Sequence, residues 1–261
     1  MHSVRPPAVA GTFYPRSAQA LREAVQGFLA PVRQTGPAPK ALVAPHAGYV
    51  YSGPVAAHAY AMLRPVRSAI TRVVLLGPAH RVFVRGLATN SADAWATPLG
   101  EVPLDRPMIE RLEELPQVVR FDRAHALEHS LEVHLPFLQL VLDRFALVPL
   151  CVGDATKEEV AGVLEAAWGG PETLVVVSSD LTHYLNYETA RRIDRETAAA
   201  VERLDADAIG EDQACGRVPL RALLDVAARR GLAARTLDLR SSGDTAGMRD
   251  EVVGYGAWAF S

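Results

Sequence analysis

The chain has 261 residues, 49% of them hydrophobic, and a formal charge of -3 from 27 Lys and Arg against 30 Asp and Glu. That is enough apolar chain for a large core, and a balanced charge with no basic stripe interleaved with aromatics excludes a nucleic-acid surface. No apolar run approaches the roughly 20 residues of a bilayer span, and the opening MHSVRPPAVAGTFYP lacks the apolar centre of a secretory signal, so the expected location is the cytoplasm, without membrane contact.

In chain order, the spacing of apolar positions predicts a helix over 18–29, then a proline-containing surface connection over 31–39. The run ALVAP (41–45) reads as a strand, 53–63 as a helix and RVVLLG (72–77) as a second strand. Helices follow over 106–114 and 127–145, then the strand ALVPLCV (146–152), a helix over 156–168 and the strand TLVVVSSD (173–180). Two more helices, 187–204 and 218–230, precede the strands AARTLDLR and VVGYGAWAF, which flank the polar bend SSGDTAGMRDE. Unbroken apolar runs suit strands buried on both faces, so the alternation predicts one α/β domain over 1–261, a three-layer α/β/α fold around a central mixed, largely parallel sheet.

Three of these strands run straight into chemistry-bearing residues: ALVAPHAGY reaches His46, VVLLGPAH reaches His80, and VVVSSDLTH reaches Asp180 and His183. A lone histidine after a strand is ordinarily a satisfied polar residue. In open α/β sheets, however, ligands gather outside the carboxyl ends of the strands, and the recurrence predicts one shared pocket.

Two cysteines are too few for a disulfide framework. Cys151, inside LVPLCV, reads as structural. Cys215, in QACGRVPLRALLD, precedes an amphipathic helix whose free N–H groups and dipole favour a thiolate, although a small buried residue at a helix start fits equally well. Two histidines and a thiolate suit zinc, copper or ferrous iron and leave coordination positions open.

HALEHSLEVHLPFLQLVL carries His125, His129 and His134 with Glu128 and Glu132. Its HxxxH lacks the HExxH arrangement, and an amphipathic helix with a polar face explains it nearly as well. Glu128, His129 and His134 are expected either to support metal ligands or to touch substrate. No GxxxxGK[ST] pattern occurs, which argues against a nucleotide-hydrolysing site.

RPPAVAGTFYP, APHAGYVYSG, LLGPAH, EHSLEVHLPFL, SSDLTHY, ACGR and the closing VVGYGAWAF, in this order along nearly the whole chain, resemble the Memo family, called AmmeMemoRadiSam system protein B in many prokaryotes. The resemblance implies a fold like that of the LigB-type class III extradiol dioxygenases and a non-heme iron pocket. It places His46, His80 and Cys215 at the family's metal-binding positions, with Asp180 and His183 beside them. Cys215 offers sulfur where those dioxygenases use a carboxylate, so catechol cleavage does not follow from the likeness.

The expected function is therefore a redox-metal protein with one divalent or redox ion, Fe(II) ahead of copper or zinc, and with His183 as the proton-transfer residue and Asp180 either orienting it or hydrogen-bonding substrate. Two other readings remain open. One is a catalytically silent pocket for a small molecule, a peptide or partners, which the family name implies to be radical-SAM and AMMECR-type proteins. The other is a metal-independent enzyme using Cys215 as nucleophile.

Overall fold

The computed structural model describes residues 2–261. Its strands, in chain order, are β1 (Val4–Arg5), β2 (Ala41–Ala44), β3 (Arg72–Pro78), β4 (Leu87–Thr89), β5 (Ala94–Thr97), β6 (Gly100–Pro103), β7 (Val118–Arg120), β8 (Ala146–Val152), β9 (Thr173–Ser178), β10 (His183–Leu185), β11 (Ala234–Ser241) and β12 (Val252–Phe260). The main sheet runs β10-β12-β2-β9-β3-β8-β4-β7, with β11 added to β12. Its centre, β2-β9-β3-β8, is parallel, and β12 joins β2 antiparallel. Every residue of β2 and β9 is buried, as expected of strands covered on both faces.

The helices are α1 (Ala18–Leu29), α2 (Tyr49–Ala61), α3 (Arg106–Leu112), α4 (Asp122–Ala126), α5 (Leu135–Val141), α6 (Lys157–Ala167), α7 (Tyr187–Glu202), α8 (Arg217–Arg229) and α9 (Ser242–Thr245). α1, α2 and α5 pack together with α2 on β2 and β12, while α6 packs on α8 and α8 on β3 and β9. The result is the three-layer α/β/α arrangement with a mixed sheet that the sequence predicts. None of these helices is long and apolar enough to cross a membrane.

Register sets up the site. Ala44 pairs with Ser178 and Leu76 with Val177, so the segments leaving β2, β9 and β3 start at one edge of the sheet. Because β12 is antiparallel to β2, its first residues, including Val253 and Tyr255, reach the same edge.

The helix expected over 127–145 is a correction. Only Leu135–Val141 is α-helical there, preceded by a single 3-10 turn at Glu132–His134, and the stretch before it is irregular. The cause lies in two buried acids that bind backbone rather than solvent. Glu128 accepts from the N–H groups of His129 and Ser130 at 2.9 and 3.0 Å. Glu132 accepts from Ala8 and Val9 N–H, from Tyr14 Oη at 2.6 Å and from Arg5 at 2.6 Å. A side chain that terminates backbone donors in this way competes with helix propagation, and Pro136 then opens α5.

The Arg5–Glu132 pair also explains RPPAVAGTFYP structurally. Arg5 spends its remaining donors on the carbonyls of His125 and Glu128 and lies over the Trp95 ring, 4.3 Å from its centroid. The N-terminal strand β1 is thereby fastened to the segment that carries Glu128, within a small β1-β5-β6 sheet that periodicity does not predict.

Candidate metal centre

His46 leaves β2 two residues after Ala44, fully enclosed, with its backbone N–H on Asp180 Oδ1 at 2.8 Å. Its Nδ1 lies 2.6 Å from Ser178 Oγ, whose own proton goes to the Ser130 carbonyl at 2.6 Å. The hydroxyl therefore accepts from Nδ1–H, and the lone pair is on Nε2. His80 is set the same way: Nδ1 meets Glu128 Oε1 at 3.0 Å, while its backbone N–H donates to Oε2 at 2.6 Å. A carboxylate only accepts, so Nε2 of His80 is also left as the ligating nitrogen.

Cys215 comes from the turn before α8. Its N–H donates to the Asp180 carbonyl at 3.2 Å and its Sγ accepts from Asp180 N–H at 3.3 Å. Gly216 makes this approach feasible, since a Cβ there would sit 2.4 Å from the Ser178 carbonyl oxygen. Sγ lies 3.3 Å from His46 Nε2, and the ligand atoms of His46, His80 and Cys215 fall within 4.8 Å of one another.

This donor set fits a metal. Two imidazoles with fixed tautomers leave Nε2 free beside one sulfur, at separations that metal–ligand bonds of about 2.0–2.3 Å would span with small adjustment. A second grouping, His80, Glu128 and His129, shares His80 but spends its carboxylate on three backbone N–H groups, which makes it a support rather than a cage.

The electrostatics agree with a neutral His46. Burial first, then the neighbouring His80 and His129, hold His46 well below the usual histidine range. Burial pushes Glu128 up, but the imidazoles of His129 and His80 and the surrounding donors outweigh it and leave the carboxyl well below the carboxylate range. Asp180 is raised, chiefly by burial, against the opposing N–H of His46.

For Cys215 the sequence leaves a thiolate and a buried small residue equally open. Burial, and then Asp180, push its thiol up to about 12, and a cation in direct contact would act in the opposite direction. The N–H groups of Asp180 and of Gly216, at the helix start, and the Ser179 hydroxyl oppose that rise without overcoming it.

His46, His80, His129, Asp180 and His183 line one cavity of about 850 Å³. Cys215 lies behind it, bordering smaller cavities of about 260 and 380 Å³. His183 Nδ1–H donates to the Leu181 carbonyl at 2.8 Å, which leaves Nε2 free; Asp180, expected to orient it or to hydrogen-bond substrate, makes no hydrogen bond to His183 and accepts the His46 N–H. His134 is not on the cavity: it is buried beyond it, 2.7 Å from Tyr60 Oη, and burial lowers it to about 3. Cys151 is buried in β8, as its sequence suggests.

Sequence reading missed Ser178, Ser130 and Tyr255. Ser178 carried a usable signal: it ends β9 in register with Ala44, one step from where His46 leaves the sheet.

Comparison with known proteins follows this geometry. The family described as Memo-like protein matches residues 5–259. A MEMO1 family protein of Aquifex aeolicus is 35% identical over 265 residues, covering 97% of each chain. One from Methanothermobacter thermautotrophicus is 36% identical, covering 97% of this chain and 98% of its own. Among solved structures, an uncharacterized protein from Escherichia coli K12 aligns with a TM-score of 0.53 at 15% identity, over 83% of this chain and 98% of its own, a likeness of fold. With a match spanning residues 5–259 and relatives alike from end to end, the chain belongs to the Memo-like family.

Proposed function

We propose that this chain is a redox-metal protein that holds Fe(II), or alternatively copper, at His46 Nε2, His80 Nε2 and Cys215 Sγ. The observation that carries the reading is the pair of locked tautomers: Ser178 and Glu128 each take the Nδ1 proton and leave the opposite nitrogen free, with His46 Nε2 3.3 Å from the Cys215 sulfur. When bound, such an ion supplies one-electron chemistry and open positions for a small oxygenated substrate.

The chain's own residues supply the rest. His183, held through Nδ1–H, presents Nε2 to the cavity as the atom that takes up or returns a proton. Asp180 fixes the His46 backbone and the Cys215 turn together, so the distance between nitrogen and sulfur is set by one residue. Glu128 keeps His80 basic and oriented.

The test is elemental analysis of anaerobically purified parent protein beside His46→Ala, His80→Ala and Cys215→Ser, with add-back of Fe(II), Cu(I) and Zn(II). One stoichiometric ion in the parent, lost in all three variants, supports the reading. A parent that retains no ion after add-back overturns it. The cavity's size favours a second reading, a silent pocket for a peptide or partner, which predicts ligand binding that all three variants retain.

A further inference from the structure

The cavity extends well past the metal-binding residues. It follows the end of the sheet from β3, which leads into His80 and Arg81, across β9 and β2 to β12 and β10, which bring Tyr255 and Tyr184. The far side has its own chemistry. Tyr255 is 2% exposed, lines the cavity, and its hydroxyl forms no hydrogen bond among the described residues. A hydroxyl at the tip of a nearly buried ring, without a protein partner and opening on a cavity, is free to bond a ligand there. Tyr51 and Tyr184 line the same cavity.

Tyr184 adds an independent sign. It is 72% exposed at the cavity wall with φ 57°, a backbone region that side chains other than glycine's rarely adopt. Nothing in its packing explains an aromatic there, and backbone strain of this kind concentrates where ligands are held. Directly before β12, Asp250 and Glu251 complete the lining, and neither carboxylate has an ion-pair partner among the described residues. Arg249, next to them, is turned to Tyr187 and Asp244 instead. The cavity's one Lys or Arg side chain among the described residues is Arg81, on the β3 side.

We propose that the β12 side of this cavity binds an organic ammonium group, held by the rings of Tyr51 and Tyr184, the hydroxyl of Tyr255 and the carboxylates of Asp250 and Glu251. Electron-rich ring faces attract a cation, and unpaired carboxylates at the rim select its charge over that of an anion. The inference rests on the cavity of the redox-metal reading and names the class of its substrate: a molecule with an amine at one end, long enough to lay its other end beside His80.

The amine site requires no ion, so its test is separable from that of the metal. Calorimetric titration of the full chain, metal-free and metal-loaded, uses phenethylammonium and its anionic counterpart 3-phenylpropanoate. The ammonium is expected to bind in both preparations, at least about tenfold tighter than the carboxylate. Asp250→Asn with Glu251→Gln, both exposed, should lose about tenfold for the ammonium at low salt, and Tyr255→Phe should lose severalfold. Equal or tighter binding of the carboxylate, parent affinity in the double variant, or no saturable heat with the ammonium would each overturn the proposal. Failure of metal binding with these results intact would sink only the metal reading.

Discussion

Ser178 Oγ lies 2.6 Å from His46 Nδ1 and, committed as donor to the Ser130 carbonyl, can only accept there. One hydroxyl between a β9 end and an irregular segment therefore dictates which nitrogen of a buried histidine is free. Ser178→Ala should leave all three donors in place yet weaken metal binding by about 10- to 100-fold, read by competition with a chelator of known affinity. An unchanged affinity would mean that the His46 tautomer is set elsewhere.

His183 is separable from the ligand set, since its Nδ1 is held by Leu181 and its Nε2 faces the cavity. In His183→Ala the metal content by elemental analysis should equal the parent's, while any oxygen-dependent turnover should fall by about 10²- to 10⁴-fold, the usual size of a lost acid–base group. Full turnover in this variant would remove His183 from proton transfer.

Glu132 is completely buried and satisfies Arg5, Tyr14 and two backbone N–H groups. Truncating it strands a buried guanidinium, so Glu132→Ala should lower the unfolding free energy by about 3–5 kcal/mol, and Tyr14→Phe by about 1.5–3 kcal/mol, by urea titration. A loss below 1 kcal/mol in Glu132→Ala would show that Arg5 finds another partner.

Asp194, on α7, accepts Thr182 N–H and Oγ1, and burial raises it to about 6. An acid raised on folding holds its proton in the native state while the unfolded chain has released it, so it favours folding below its unfolded value near 4 and the benefit is lost as pH rises to about 6. His125 acts oppositely: burial lowers it to about 4, so its contribution is present above the unfolded value near 6.5 and is lost as pH falls. Asp194→Asn, which keeps an acceptor for Thr182, should therefore steepen the rise of stability with pH between about 4 and 6 by up to about 1.4 kcal/mol per unit. Parallel stability–pH curves for parent and variant would place the titration elsewhere.

Much of the layered architecture was legible because its strands are long apolar runs and its helices carry strong periodicity: α1 has the expected ends, and α6, α7 and α8 differ by one or two residues at theirs. The convergence of His46, His80 and Asp180 was legible because three strands end in them. What escaped was held by tertiary partners. EHSLEVH has helical spacing, yet Glu128 and Glu132 are used up by His80 and by the N-terminal arm, contacts 48 and 127 residues away in sequence. The state of Cys215 stayed open for a like reason: local sequence shows a helix start, and the burial against Asp180 that pushes its thiol up is set by the fold.

The reciprocal pairing of Asp180 with Cys215 has a consequence for biosynthesis. His46 and His80 leave the ribosome long before the sulfur, and at ordinary translation speeds the interval from His80 to Cys215 is on the order of ten seconds. During that time the nascent chain offers two imidazoles and no thiolate, a pair that cannot retain a soft ion against cellular chelators. On the metal reading proposed above, capture of the ion would be the closing event of chain maturation, and a ribosome-stalled fragment ending before Cys215 would emerge without it.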